Sequence, residues 1–180
     1  MTLERKLYDK SENIIMCDSK GVIYKGRKNV DQFKSAFAGT VTTHTGTVEI
    51  TDSGTTDITA TDITDINGTN TGTITVTNAI DINGSGSEVA AAFTAIDTNT
   101  GNATAHITGT DYTVAHLKTI NNATTGAIVL ADASAALSGN STDLAAALAG
   151  TVTTHTGTVG ITNNDYTLAE LVAINNASSG

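Results

Sequence analysis

An α/β solenoid of stacked repeats is the fold class this sequence predicts, and three observations predict it. Residues 38–48, AGTVTTHTGTV, recur letter for letter at 149–159. DYTLAELVAINNASSG at 165–180 follows DYTVAHLKTINNATTG at 111–126 and a looser copy, DITATDITDINGTNTG, at 57–72, in steps of 54 residues. VDQFKSAFAG (30–39), SEVAAAFTAI (87–96) and TDLAAALAG (142–150) form a third set spaced by 55 or 56. Two kinds of unit, each of about 27 residues, therefore alternate, and about six fit from residue 30 onward.

The elements of one unit follow in order. A Thr opens a short helical pattern: Thr167-Leu-Ala-Glu170 has the form of a capping box, and Thr113–His116 and Thr59–Asp62 hold the same slots. Helical spacing continues through Leu168, Leu171, Val172 and Ile174, and likewise through Phe33/Phe37, Val89/Phe93 and Leu144/Leu148. Such helices are too short to persist alone in water. Asn67, Asn121 and Asn175 are expected at the following turn, either as turn formers or as an amide ladder. Gly72, Gly126 and Gly180 are expected to close it with positive φ. A strand follows, as in Thr73–Thr77 and Thr47–Thr51, where β-branched and polar residues alternate. A unit this small cannot cover its own apolar face, so parallel stacking of equivalent strands is predicted. The alternative is a strand-dominated β-solenoid or trimeric fibre in which the helix-like segments are extended.

Composition agrees with stacking. The 180 residues include 35 Thr, 17 Gly, no Pro and no Trp, and only 4% are aromatic. Proline would remove a ladder donor in every interior unit. Residues 1–34 hold eight of the nine basic side chains against five acids, a balance of +3. Residues 35–180 hold Lys118 against thirteen acids, a balance of −12. An array this acidic repels phosphate backbones, so no nucleic-acid partner is expected. Residues 1–29 do not repeat; Asn13–Gly26 reads as a basic β-hairpin with its turn at Asp18–Gly21, a cap or a docking segment before the array of 30–180. Cys17 stands alone and reads as a buried small hydrophobe, excluding an internal disulfide or a Cys-based zinc site. No stretch has the length of a membrane span, and charges occupy the N-terminus where a cleaved signal needs an apolar run. The last residues, Ser179-Gly180, fall at a unit boundary without a polar cap, so a longer array or an end that stacks on a neighbour is expected.

The phrases DYTLAELVAINNA, TGAIVLADASAALSG and STDLAAALAGTVT resemble the Thr/Ala/Asn-rich repeats of very large surface or secreted proteins of marine cyanobacteria, and of tail-fibre-like proteins of their phages. The resemblance covers residues 30–180. It implies an extracellular, cell-surface or virion location, a structural or adhesive role, and no catalytic residue.

His44 and His155 occupy one slot of the exact duplication but lie about 19 Å apart along a stack, so within one chain they cannot share a metal; each reads as a surface His. Asp81, Asn83 and Ser85 imitate the first half of an EF-hand loop, and are weak calcium candidates because Ala92 stands where the bidentate Glu belongs. Asp62, His116 and Glu170 align at the third helical position, where an acceptor favours the helix start and catalysis is not implied. Thr69, Thr71, Thr73, Thr75 and Thr77 suggest a hydroxyl plane for ice, but Ala127, Val129 and Ala131 interrupt it in the next copy. No phosphate loop or nucleophile elbow appears. The sequence therefore predicts a non-enzymatic structural or adhesive segment without cofactor. Its expected partners are other copies or neighbouring repeats, stacked end to end or laterally, and cell-surface glycan. The alternative is a ligand-binding module for glycan, calcium or ice.

Overall fold

A computed structural model describes residues 15–16, 22–24 and 45–180. Among them are five helices: α1 (Ala60–Thr69), α2 (Gly86–Ala95), α3 (Val114–Ala123), α4 (Ser141–Ala147) and α5 (Leu168–Ala177). The starts of α1, α3 and α5 are 54 residues apart (114 − 60 and 168 − 114). The segments with helical spacing in this range are thus helices, which removes the alternative in which they are extended. Phe33, Phe37, Cys17, His44 and the eight basic residues of 1–34 lie outside the described residues.

Among the described residues the strands form three sheets, and parallel pairing dominates. The first holds β1 (Ile15–Met16), β2 (Val22–Tyr24), β3 (Val48–Ile50), β5 (Ile74–Val76) and β7 (Thr98–Asn99), in that order. The second runs β4 (Asp57–Thr59), β6 (Asp81–Gly84), β8 (Thr104–Ile107) and β9 (Ile128–Leu130). The third pairs β10 (Leu137–Gly139) with β11 (Val159–Ile161). Only β1–β2 is antiparallel among the described pairs, with Ile15 opposite Ile23. The rest of the expected N-terminal hairpin, including its turn, lies outside the described residues.

Parallel register lines up side chains of one kind. Val48 sits beside Ile74 and Ile50 beside Val76; Ile58, Ile82, Ala105 and Ile128 form one column across the second sheet. The column of the second sheet faces the helices, each of which packs against the next along the chain. Ile63, Ile66, Val89, Phe93, Leu117, Ile120 and Leu144 complete the core from the helical side. Each fully buried Ile or Leu stabilises the fold by about 1.5–3 kcal/mol relative to exposure. Helices α2, α3 and α4, too short to persist alone, are therefore held by helical neighbours on both sides.

The residue before each helix N-cap alternates between bulky and absent side chains: Ile58, Gly84, Tyr112, Gly139, Tyr166. The glycine that admits Tyr112 is Gly86, at the start of α2, where a Cβ would lie 2.6 Å from the Tyr112 Cα. A Cβ on Gly84 would come within 3.2 Å of the Ala60 Cβ, and one on Gly139 would meet Val114 at an ordinary 3.6 Å.

Two turn expectations are corrected. Asn67, Asn121 and Asn175 lie inside α1, α3 and α5, and not in the turns that follow. The residue after each helix passes straight into extended backbone (Asn70 φ −117°, Thr124 φ −144°, Ser178 φ −132°). The turn is made instead by side chains at those positions: Gly72 donates to Asn70 Oδ1 at 3.2 Å and Gly126 to Thr124 Oγ1 at 3.0 Å. Positive φ among described residues occurs at Thr55, Asn102 and Gly150, so Gly72 and Gly126 serve another need. A Cβ on Gly72 would stand 2.1 Å from the Gly46 carbonyl oxygen, and one on Gly126 2.4 Å from that of Asn102. Gly180 repeats this against Gly157 at 2.3 Å. These glycines admit the preceding backbone.

Candidate functional site

Thr and Asn side chains reach from one segment to the next, and this is where the polar composition is spent. Thr77, Thr100, Thr108 and Thr153 each direct both amide and hydroxyl at one carbonyl, that of Ile50, Val76, Gly84 and Ile128 respectively. Asn78 Nδ2 donates to the Thr51 and Asp52 carbonyls at 3.1 and 2.7 Å, and Asn99 Nδ2 to that of Ala123. Asn121 Nδ2 donates to the Ala146 and Ala149 carbonyls at 2.9 and 2.7 Å. Asn121 is thus a link between segments, because its helical position aims the amide at the C-terminal turn of α4. Asn175, the matching residue of α5, is exposed.

Helix starts are fixed in two ways. The hydroxyl of Thr167 accepts from the Glu170 amide, and the Glu170 carboxylate accepts the Thr167 amide at 2.7 Å, a complete capping box. Thr113 accepts from the His116 amide at 3.2 Å, but His116 cannot return the bond as an acid would. Thr59 makes no side-chain cap; its hydroxyl meets that of Thr61. The second device comes from the following segment. Asp111 accepts from the Gly86 amide at 3.1 Å, and Asn163 from the Ser141 amide at 2.7 Å.

Glu170 gathers more bonds than capping requires. Thr142 donates to it at 2.6 Å and Ser141 at 3.1 Å, across the α4–α5 boundary. The Thr142 hydroxyl, then the Thr167 amide, hold its carboxyl down at about 2. Asp62, His116 and Glu170 therefore do not converge: each sits at the start of its own helix.

Asp81, Asn83 and Ser85 are not wrapped around a cavity. Asp81 and Asn83 belong to the parallel strand β6, and Ser85 is the N-cap of α2, in a capping box with Glu88. An EF-hand needs a tight loop, whereas β6 is held straight by β4 and β8. The same letters, Ser85-Gly-Ser-Glu88, carry the capping-box pattern, a signal masked by the calcium likeness. Asp81 lies 3.7 Å from His106 Nδ1, and burial raises its carboxyl. No group of three or more His, Cys, Asp or Glu among the described residues is placed to hold a metal.

His155 corrects the expectation of a surface His. It is 0% exposed, with its ring edge-on to that of Tyr112 at 6.2 Å between centroids. Its ring nitrogens and the Tyr112 hydroxyl lack a well-formed hydrogen bond among the described residues. Burial pushes the imidazole down and the phenol up; the Ala135 backbone opposes both shifts. Polar neighbours in Thr153–Thr156 gave the sequence a wet look, but backbone bonds from His155 to Ala177 and from Ser179 to His155 hold the residue under the next segment.

The five Thr of 69–77 do not form one plane either. Thr69 ends α1, and Thr75 lies in β5 between Glu49 and Thr98. Among the described residues the exposed large apolar side chains are Tyr166 (49% exposed), Leu168 (77%) and Val172 (49%), at and just before α5. No described helix is long and apolar enough to cross a membrane.

Fold and site together define a parallel-sheet α/β protein whose polar side chains join one segment to the next and cap its helices and turns. Comparison with family models, with curated proteins and with solved structures finds no match.

Proposed function

We propose that the chain is a non-enzymatic structural or adhesive repeat segment, an α/β solenoid that acts as a spacer or fibre on a cell surface or virion. The observation that carries this reading is the repeated doubling of Thr amide and hydroxyl onto the carbonyl of the preceding segment. Such bonds serve cohesion along an axis and no chemistry at a centre. The helix starts at 54-residue spacing support the same reading, because identical spacing lets each pair of units dock as the last did. The acidic balance of 35–180 suits a wetted outer surface, and the likeness to cyanobacterial surface and phage fibre repeats favours an extracellular place. Neighbouring repeats and cell-surface glycan are the partners this role calls for. Small-angle scattering tests it: an elongated particle, lengthened by about 5 Å for each added unit, is expected. A sphere of the same mass overturns it.

A further inference from the structure

Bonds between segments share one reach along the chain. Backbone bonds from strand to strand span 21 residues from Leu137 to Thr158 and 27 from Thr77 to Ile50. Side-chain bonds agree: 21 residues from Thr124 to Ala103, 26 between the hydroxyls of Thr47 and Thr73, and 29 from Ser141 to Glu170. Each reach is about one segment, so each bond joins a segment to its neighbour. The helices follow the same rule, α1 packing on α2, α2 on α3, α3 on α4 and α4 on α5. Other side-chain bonds stay inside a cap or a turn, as at Ser85, Asn140 and Thr167.

A core that ties distant parts of a chain together gives way as a whole. Contacts limited to neighbours behave otherwise. Stability is then a sum over segments and junctions, and one segment can leave while those beyond it keep their own contacts. The direction of load matters as well. Ladder bonds run across the strands, from each segment to the next. Tension along the stack therefore peels the outermost junction of the folded part and does not shear all junctions at once. A freed helix of seven to ten residues does not persist alone, so the whole freed segment becomes extended chain. When tension falls, only about one segment of chain has to close onto an edge that is still in place, and the entropy cost of so short a closure is small.

We propose that the stack is an extensible tether: tension along its axis releases one segment, or one two-unit repeat, at a time, and each reforms on the folded remainder when tension falls. The tether rests on the solenoid reading above. Each of the four junctions between consecutive helices carries a polar link that has to break for a step. Thr47 meets Thr73 between the segments of α1 and α2, and Thr100 donates to Val76 between those of α2 and α3. Asn121 donates to Ala146 and Ala149 between α3 and α4, and Thr142 to Glu170 between α4 and α5. Links of one kind at successive junctions give yielding in several comparable steps.

Single-molecule pulling on the full chain tests this, with handles on T45C and S179C, both at exposed positions, in a C17S background. A released segment of about 27 residues adds about 90 Å at full stretch, from about 3.3–3.6 Å per residue less the about 5 Å of the lost layer. Steps of that size, or of twice that size where both units of a repeat leave together, are expected, with matching refolding steps on relaxation. A rip that frees more than two segments together, or a freed segment that does not refold on the remaining stack, overturns the proposal. N121L should lower the force of the step at the α3–α4 junction and leave the other steps unchanged. T77V, a milder change, should do the same between the segments of α1 and α2. A variant that lowers every step overturns the independence of the junctions. Small-angle scattering separates the two claims: an elongated particle that rips as a whole loses the tether and keeps the solenoid, whereas a sphere overturns the solenoid reading itself.

Discussion

The carbonyl of Ile50 receives two bonds from Thr77, one from its amide at 3.1 Å and one from its hydroxyl at 3.2 Å. A carbonyl has two lone pairs, and a parallel ladder uses one. Thr77, Thr100, Thr108 and Thr153 supply the second without leaving the backbone's path. Thr153 repeats the arrangement on Ile128 at 2.9 and 3.4 Å. These four Thr give part of the Thr content a use in the ladder, beside the β-propensity of the residue.

Thr77→Val should cost about 0.5–1 kcal/mol, because the amide still satisfies the carbonyl. Thr153→Val should cost more, about 1–3 kcal/mol, because the Thr153 hydroxyl also accepts from the Leu130 amide at 3.1 Å. The two sites lie in different segments, so the losses should add in the double variant. Urea unfolding reads this as a lower midpoint at constant slope. An unchanged midpoint in the double variant would show that the hydroxyls contribute nothing to cohesion.

Glycine substitutions should split into two opposite classes. Gly72→Ala places a carbon 2.1 Å from the Gly46 carbonyl oxygen, and backbone cannot step aside as a side chain can. A loss of about 3 kcal/mol or more is expected, in the range of severe backbone conflict. Gly68, inside α1, has nothing within 4 Å of its Cβ position. Gly68→Ala should raise stability by about 0.5–1 kcal/mol through helix propensity. Thermal melts of the two variants should move in opposite directions.

Features bonded within a few residues were legible in the sequence. The box of Thr167 and Glu170, the cap at Thr113 and the 54-residue spacing of helix starts need only local pattern and self-comparison. What depended on the next segment was not. The close approach that selects Gly72 comes from Gly46, and the cover over His155 comes from residues near 112 and 177; neither is visible in the flanking letters. Asn121 shows the same limit, since turn chemistry and helix interior both tolerate Asn until the neighbouring carbonyls are placed. At Ser85 the limit was competition: one string of polar letters fits both a calcium loop and a helix cap, and strand pairing of Asp81–Gly84 decides for the cap.

Asn121→Leu should cost about 1–3 kcal/mol, because it leaves the Ala146 and Ala149 carbonyls without the amide that now serves both. Asn175→Leu is the internal control. That residue holds the same slot on α5 but is exposed, and its replacement should move the melting temperature little. Equal losses at the two positions would mean that the amide matters to the helix itself and not to the link between segments.

His155 should make stability fall on mild acidification. Burial lowers the folded-state pKa of its imidazole from the ordinary 6.5, so the unfolded chain binds a proton before the folded one does. The sign follows: stability is complete above pH 6.5 and is lost as pH falls below it toward the folded-state value. Depressed carboxyls act in the same direction but lower down. Glu170, at about 2 in the folded chain against 4.5 ordinarily, withdraws its contribution only below pH 4.5. Between about pH 7 and 5 the depressed carboxyls stay ionised, while Asp81, whose carboxyl burial raises, acts in the opposite direction. The contribution of His155 is therefore read as the difference between wild type and the His155→Phe variant. His155→Phe, which keeps an aromatic edge toward Tyr112, should flatten the curve in that window and leave the drop below pH 4.5 in place. A wild-type curve that runs parallel to that of the variant from pH 7 to 5 would show that the ring gains its proton at no cost to the fold, and so is not buried as described.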